Sequence, residues 1–258
     1  MVGGRKVPPI PIAMSLAATT FSAITILGTP VEFYSFGTMF MYFIVTYLVC
    51  TIICTEIFAP MYMDFGFTST YEYMEKRFSS SVKIMCTFIF VAQTTIYLGM
   101  VIYVPALALE TVTGLDRWAA VWITGGVCIF YTTIGGLKAV VWTDTIQLTI
   151  MISGFIGIIA QGVAEHGFDE IRETFQLGGR NIWDDFMGDP RYRHTFWSIV
   201  LGGIFGTWGN NWCGNQSMVQ RMLACKNRRD LRISLYTSWC LVALIMGKVI
   251  KYSSSQMS

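Results

Sequence analysis

Apolar residues in this chain gather into long blocks rather than the strict alternation of a half-buried strand, and short polar stretches separate the blocks. A bilayer's hydrocarbon core of about 30 Å needs roughly 20 mostly apolar residues to cross it. Six blocks meet that requirement and predict membrane helices over residues 12–33, 38–61, 84–110, 118–135, 139–164 and 196–212. A weaker block starts at 233 and thins after 246, where Lys248 and Lys251 interrupt it; taken to 250, it makes a seventh span. Two connections are long. The segment 64–82 carries Thr68-Ser69-Thr70 ahead of Glu72 and Glu75, a hydroxyl cap followed by acids, and predicts an interfacial helix ending at Lys76 and Arg77. The segment 165–195 holds a short amphipathic stretch over 168–177 before Gly178-Gly179.

The first block is the most informative. It carries Ser15, Thr19, Thr20, Ser22 and Thr25 and ends at Gly28-Thr29-Pro30. Backbone groups in hydrocarbon must be satisfied within the protein, so hydroxyls and helix breakers at membrane depth face protein or a water-filled cavity. Spacings of four and three put Ser15, Thr19 and Ser22 on one helix face, the expected lining of a polar path. The alternative is that each hydroxyl bonds its own carbonyl one turn back. The sixth block is similar in character: Gly202, Gly203, Gly206, Thr207, Gly209, Asn210, Asn211, Gly214 and Asn215 crowd its second half. Each Gly costs a helix about 1 kcal/mol against Ala, so this end either unwinds or packs closely against neighbours. Broken segments at corresponding places in two halves point to the midplane site of a secondary transporter, and spans one and six stand five apart.

Composition agrees with a membrane class: 53% of the 258 residues are hydrophobic and 13% charged, against roughly 25% charged in a soluble domain. A net charge of +2 gives no reason to expect nucleic acid. With the amino-terminal segment and its Arg5 and Lys6 on the cytoplasmic side, alternate crossings put Lys76, Arg77, Lys83, Lys138, Arg221, Lys226, Arg228, Arg229 and Arg232 there too. Eleven of the 18 basic residues then lie inside. The loop 165–195 lies outside, where acidic residues outnumber Arg172, Arg180, Arg191 and Arg193, the positive-inside pattern. No short apolar region with a small-residue cleavage site precedes the first block, which reads as a retained helix. None of the seven cysteines sits in the outer loop, and Cys50 and Cys54, on one helix face without a His or second Cys pair, read as packing rather than zinc ligands.

The run Gly135-Gly136-Leu137-Lys138-Ala139-Val140-Val141-Trp142-Thr143-Asp144 resembles the signature of the sodium:solute symporter family, as does Asn215-Gln216-Ser217-Met218-Val219-Gln220-Arg221. Thr68 to Tyr73 and Arg193-His194-Thr195-Phe196-Trp197 are similar to the branch of sodium-coupled monocarboxylate and multivitamin transporters, with the iodide transporter as a relative. The resemblance covers essentially 11–232. It implies an all-α membrane fold: the first five-helix repeat, plus the start of the second inverted repeat, of a LeuT-like 5+5 transporter with alternating access. Sodium is then co-transported, held partly by the backbone carbonyls of Ala18 and Phe21; hydroxyls on an eighth core helix complete that site in the family. Carbonyl oxygens suit a hard cation without an intramembrane carboxylate. Family solute contacts match Thr25, Trp208 and Asn211. Thr25 and Ile44 stand where sugar carriers have Gln and Glu, which argues against a sugar and for a small organic anion such as a monocarboxylate or vitamin-like solute.

Asp144 has two readings, sodium release toward the cytoplasm or a helix cap favoured by the dipole. Arg221 and the basic run after it read as topology and lipid contact, and His166 and His194 as surface or packing residues. Asn215-Gln216-Ser217 fits a glycosylation acceptor but falls at the inner face, out of reach of that machinery. No His-Glu metal spacing and no nucleophile with an adjacent base marks an enzyme; Glu56 and Glu110, near span ends, read as snorkelling or capping residues. The expected partners are the solute and membrane lipid, with homo- or hetero-oligomerisation open, and the expected location is the plasma membrane. The family has a helix before the first core helix and several after the seventh. The alternative reading is therefore a truncated, non-transporting membrane protein associated with a full-length relative.

Overall fold

Apolar blocks with few interior breakers fold here as helices, and no strand occurs among the described residues. The computed structural model describes residues 7–177, 186–187, 189 and 191–255. Arg5, Lys6, Arg180, Asp184 and Asp185 lie outside them, as do the side chains of His166, Arg172, Trp208, Lys248 and Lys251. The first predicted span is divided into α1 (Pro9–Thr20) and α2 (Ala23–Phe36). A 3-10 turn (Thr38–Tyr42) leads to α3 (Phe43–Ile53), and a π turn (Cys54–Phe58) joins it to α4 (Ala59–Asp64). Then come α5 (Thr70–Arg77), α6 (Ser80–Thr113) and the helical run α7 (Arg117–Leu177). Further along the chain lie α8 (Phe196–Gly202), a π turn (Gly203–Trp208), α9 (Gly209–Cys213), α10 (Gln216–Leu223) and α11 (Arg228–Ser255).

By length and composition four helices can cross a membrane, Thr38–Asp64, Ser80–Thr113, Arg117–Glu165 and Arg228–Gly247, and the bent pair of α1 and α2 is a fifth candidate. The 49-residue stretch Arg117–Glu165 would be about 74 Å long if straight, more than twice the hydrocarbon core. Gly136 interrupts it with φ 56° and ψ −156°, a conformation that a side chain disfavours. The kink there divides the run into two helices. A second interruption, at Gly167 (φ 72°, ψ 164°), precedes the helical stretch that ends at Leu177.

The first block, expected as a span over 12–33 with its breakers at Gly28-Thr29-Pro30, breaks earlier than those residues. The chain leaves the helix at Phe21 and Ser22, the two halves meet at 55°, and α2 runs on through Pro30 to Phe36. Hydroxyls explain the position of the break: Ser22 Oγ accepts from the Thr25 N–H (3.3 Å) and caps α2, while Thr25 Oγ1 donates to the Thr20 carbonyl (3.3 Å). Pro30 stands in the third turn of α2 and withholds a single helical N–H.

α1 is the centre of the bundle. Ile12, Ala13, Leu16 and Ala17 have no exposed surface, and α1 packs against α7, α10 and α11. Because lipid tails are as apolar as these side chains, close packing and interhelical hydrogen bonds hold such contacts together. Ser234 Oγ on α11 donates to the Pro9 carbonyl (2.9 Å), Tyr47 on α3 pairs with Ser238 (3.2 Å), and Trp239 Nε1 donates to the Ile44 carbonyl (3.2 Å). α6 and the first half of α7 present Phe88, Ile96, Trp122, Phe130 and Ile134 outward. α5 is capped by Ser69, whose Oγ accepts from the Tyr71 N–H (3.0 Å). The Thr68 N–H and then Lys76 hold the Glu72 carboxyl below its ordinary range. Gln216 fastens this segment to α10 by accepting from the Thr70 N–H and donating to the Thr68 carbonyl.

The glycine-rich sixth segment does not unwind; it widens into the π turn. Gly203 lies so near α3 that a Cβ there would sit 2.5 Å from Thr46 Cγ2, and one on Gly209 would sit 2.0 Å from the Ile204 carbonyl oxygen. A Cβ at Gly206 meets nothing within 4 Å. Gly209→Ala is therefore expected to cost about 1–3 kcal/mol by overpacking, while Gly206→Ala is neutral or slightly stabilising. Thermal unfolding of the two purified variants in detergent checks the contrast.

Candidate functional site

The break between α1 and α2 exposes backbone oxygen where the bundle is most tightly packed. The Phe21 N–H closes α1 on the Ala17 carbonyl (3.2 Å), after which φ −94° and ψ 83° turn the chain out of the helix. The Thr25 N–H, which a continuous helix would give to the Phe21 carbonyl, goes to Ser22 Oγ instead. Among the described residues no hydrogen bond reaches the carbonyl of Ala18 or of Phe21. Two unpaired carbonyls beside a helix break are hard oxygen donors of the kind that suits an alkali cation. Thr25 stands at the same break, its hydroxyl beside Ser22 Oγ (3.2 Å).

Of the three hydroxyls placed on one face, only two take part in anything beyond their own turn. Thr19 Oγ1 donates one turn back to the Ser15 carbonyl (2.8 Å), as Ser and Thr do to satisfy themselves. Ser22 caps α2. Ser15 Oγ donates to Asp144 Oδ2 at 2.5 Å, and Arg221 joins the pair: its Nε donates to Ser15 Oγ (2.9 Å) and its Nη2 to the same carboxylate oxygen (3.2 Å). The guanidinium's third contact, from Nη1 to the Ser217 carbonyl (2.9 Å), fixes its plane. Side-chain exposure of 11% for Arg221 and 13% for Asp144 marks this as an interior pair.

This geometry corrects two sequence readings. Asp144 lies eight residues past the break at Gly136, two turns inside the helix, and so does not cap it. Arg221 serves an ion pair with Asp144 rather than lipid contact; its place in the Asn215-to-Arg221 signature was the available signal, but its partner 77 residues earlier left no local trace. Glu56 pairs with Arg232 (2.6 Å) and Glu110 with Arg117 (2.6 Å). Cys54 is buried against the Trp212 carbonyl (3.4 Å) and Met222 Sδ (3.7 Å), the packing role expected of it.

The residues matched to a solute fall on separate elements. Asn211, in α9, accepts from Asn215 Nδ2 (3.1 Å), and Asn215 in turn caps α10 by accepting from the Ser217 N–H (2.9 Å). Trp208 ends the π turn, and its side chain lies outside the described residues. The neighbouring Trp212, which sequence reasoning passed over, is fully buried with its ring centroid 4.9 Å from that of Tyr47, and its indole N–H finds no partner among the described residues. No hydrogen bond among the described residues joins Thr25 to this group.

Asp144→Asn leaves the Arg221 guanidinium facing a neutral group in the interior and is expected to cost about 3 kcal/mol. Adding Arg221→Gln should restore part of that loss. A double-mutant cycle on thermal unfolding reads the coupling.

The chain matches the sodium:solute symporter family over residues 1–255. It is 48% identical to sodium-coupled monocarboxylate transporter 1 of Mus musculus over 240 residues, covering 92% of this chain and 39% of that protein. It is 44% identical to sodium-coupled monocarboxylate transporter 2 of Homo sapiens (98% and 42% covered), and 41% identical to the Homo sapiens sodium/iodide cotransporter (95% and 38% covered). The chain thus spans about two fifths of the length of these relatives. The fold superposes on a substrate-bound, outward-open Na+-coupled sialic acid symporter with a TM-score of 0.93 at 24% identity, over 99% of this chain and 54% of that one. An all-α, multi-spanning architecture of the LeuT-like kind, and a family match along nearly the whole sequence, lead to one conclusion: the chain belongs to the sodium:solute symporter family.

Proposed function

We propose that this chain forms the sodium-binding half-site and first part of the solute path of a plasma-membrane symporter, which couples sodium entry to uptake of a small organic anion. The carrying observation is the pair of carbonyls at Ala18 and Phe21 left without hydrogen bonds by the break between α1 and α2. The monocarboxylate carriers among its relatives favour a monocarboxylate as the solute, and a vitamin-like anion is the neighbouring choice.

In this reading sodium sits against the two carbonyls, which supply charge–dipole attraction without a buried carboxylate to desolvate. Thr25, Trp208 and Asn211 contact the solute, with hydroxyl, indole and amide groups offering hydrogen-bond donors to a carboxylate. Asp144 serves the inward path of sodium. Its carboxylate is paired with Arg221 and accepts a hydrogen bond from Ser15, and an arriving cation would compete with the guanidinium for the shared oxygen Oδ2. Coupling is then linkage: each ligand favours the arrangement that completes the other's site, and the two together favour closure. Two inverted five-helix repeats provide the alternating access, of which this chain supplies the first and the opening of the second. The reading is of a carrier, not an enzyme.

Uptake of a labelled monocarboxylate by cells expressing the complete reading frame tests this. Replacing external sodium with choline should abolish uptake, and undiminished uptake would sink the sodium assignment. Phe21→Leu should keep most of the rate because the ligand is a backbone oxygen. Phe21→Pro, which forfeits the N–H that closes α1 on Ala17, should lose it at least tenfold, about 1.4 kcal/mol or more.

A further inference from the structure

At the outer face one carboxylate ties together two segments 162 residues apart. Glu32, in the last third of α2, accepts from His194 Nε2 (2.6 Å) on Oε1 and from Arg193 Nη2 (3.4 Å) on Oε2, and Arg193 Nε lies 3.0 Å from Oε1 as an ion pair. Arg193 and His194 immediately precede Thr195, which starts α8 with a reciprocal cap: Thr195 Oγ1 accepts from the Ser198 N–H and Ser198 Oγ from the Thr195 N–H. The two side chains are therefore fixed to the head of a helix rather than to a loose loop.

Aromatic rings hold the pair in place. The His194 ring meets Phe36 and Phe40 edge-on, at 5.4 and 5.6 Å, and the Arg193 guanidinium lies over Phe36 at 4.6 Å. Arg193 is 63% exposed, so its pairing is screened and worth little; His194 at 11% and Glu32 at 20% form the shielded half. Glu32 stands ten residues beyond Ser22, an arm of about 15 Å from the break. A pivot of α2 by 10° about Phe21 and Ser22 would carry Glu32 roughly 2.6 Å, enough to part a hydrogen bond of that length. The contact thus sets the direction of α2, and with it the geometry of the carbonyls and of Thr25 at the break.

We propose that Glu32 is a positioning residue: through His194 and Arg193 it joins the outer halves of the two broken segments, α2 and α8, so that they move as one body. It rests on the sodium-symport reading for its effect on transport, but not for its effect on the break. Two readouts keep these apart. The first is the sodium concentration for half-maximal uptake; the second is the rate at which Thr25→Cys is labelled from outside by a membrane-impermeant thiol reagent, above the native-cysteine background.

Glu32→Gln and His194→Gln are each expected to raise the half-maximal sodium concentration and the labelling rate about fivefold, and the double variant no further, because either change opens the same contact. Additive effects, or sodium dependence and labelling unchanged in both single variants with normal surface expression, would overturn the proposal. If the unsubstituted protein shows no sodium-dependent uptake, the symport reading fails, while the labelling cycle still decides whether Glu32 positions α2. Glu32→Asp, which keeps the charge, should lie between the parent and Glu32→Gln, and it guards against a variant that merely misfolds.

Discussion

A backbone that leaves its helix inside a bilayer must find other partners, because hydrocarbon offers none, and this requirement governs the whole structure. The break at Phe21 and Ser22 meets it incompletely. Ser22 and Thr25 recover the N–H of Thr25 and the carbonyl of Thr20, whereas two neighbouring carbonyls stay available. A break of this kind persists only if the halves on either side are held by something other than each other. α1 is held from three directions, by Ser234 of α11 on the Pro9 carbonyl, by Thr145 of α7 near the Pro11 carbonyl at 3.5 Å, and by Asp144 and Arg221 on Ser15.

Charges in the molecule divide sharply by environment. Pairs such as Lys76 with Glu72 and Arg191 with Asp189 are screened by water and add little to stability. The Asp144–Arg221 pair is different: isolating either charge in the interior is costly, so the pair, with Ser15, specifies how α1, α7 and α10 meet. Arg228 with Asp64 and Arg232 with Glu56 link α11 to α4 and to the π turn before it, but these pairs too are exposed and screened. α6 has its ion pairs near its ends, Lys83 with Glu75 and Glu110 with Arg117, while between them Phe88 and Ile96 are exposed to whatever surrounds the bundle.

The helical membrane class was legible because block length and poverty of charge are one-dimensional properties. The break in the first segment was legible only as a cluster of hydroxyls. Its place was not, since Gly28-Thr29-Pro30 carries the stronger breaker signal, whereas Ser22 supplies the cap that makes a new start possible. The widened sixth segment shows the same limit: glycine density warned of irregular backbone, but whether it unwinds or packs depends on Thr46, about 150 residues away. Asp144 was recognisable as important, and its partners were not, because Ser15 and Arg221 are joined to it by folding alone. Similarly, Glu32 and His194 each look like an ordinary polar residue near a span end until the helices are assembled.

The Asp144–Arg221 pair also has a consequence for biosynthesis. The chain emerges from the ribosome amino end first, at about 5–20 residues per second, so Arg221 appears roughly 4 to 15 s after Asp144. During that interval the fifth apolar segment carries an acid without its guanidinium, near the start of the span, where the penalty is smaller than the about 2.5–3.5 kcal/mol of a helix centre. Ser15, already made, is the only member of the trio that can shelter it. The ion pair that joins that segment to α10 thus forms only once α10 has been made, and the order of translation sets when this contact of the bundle can close.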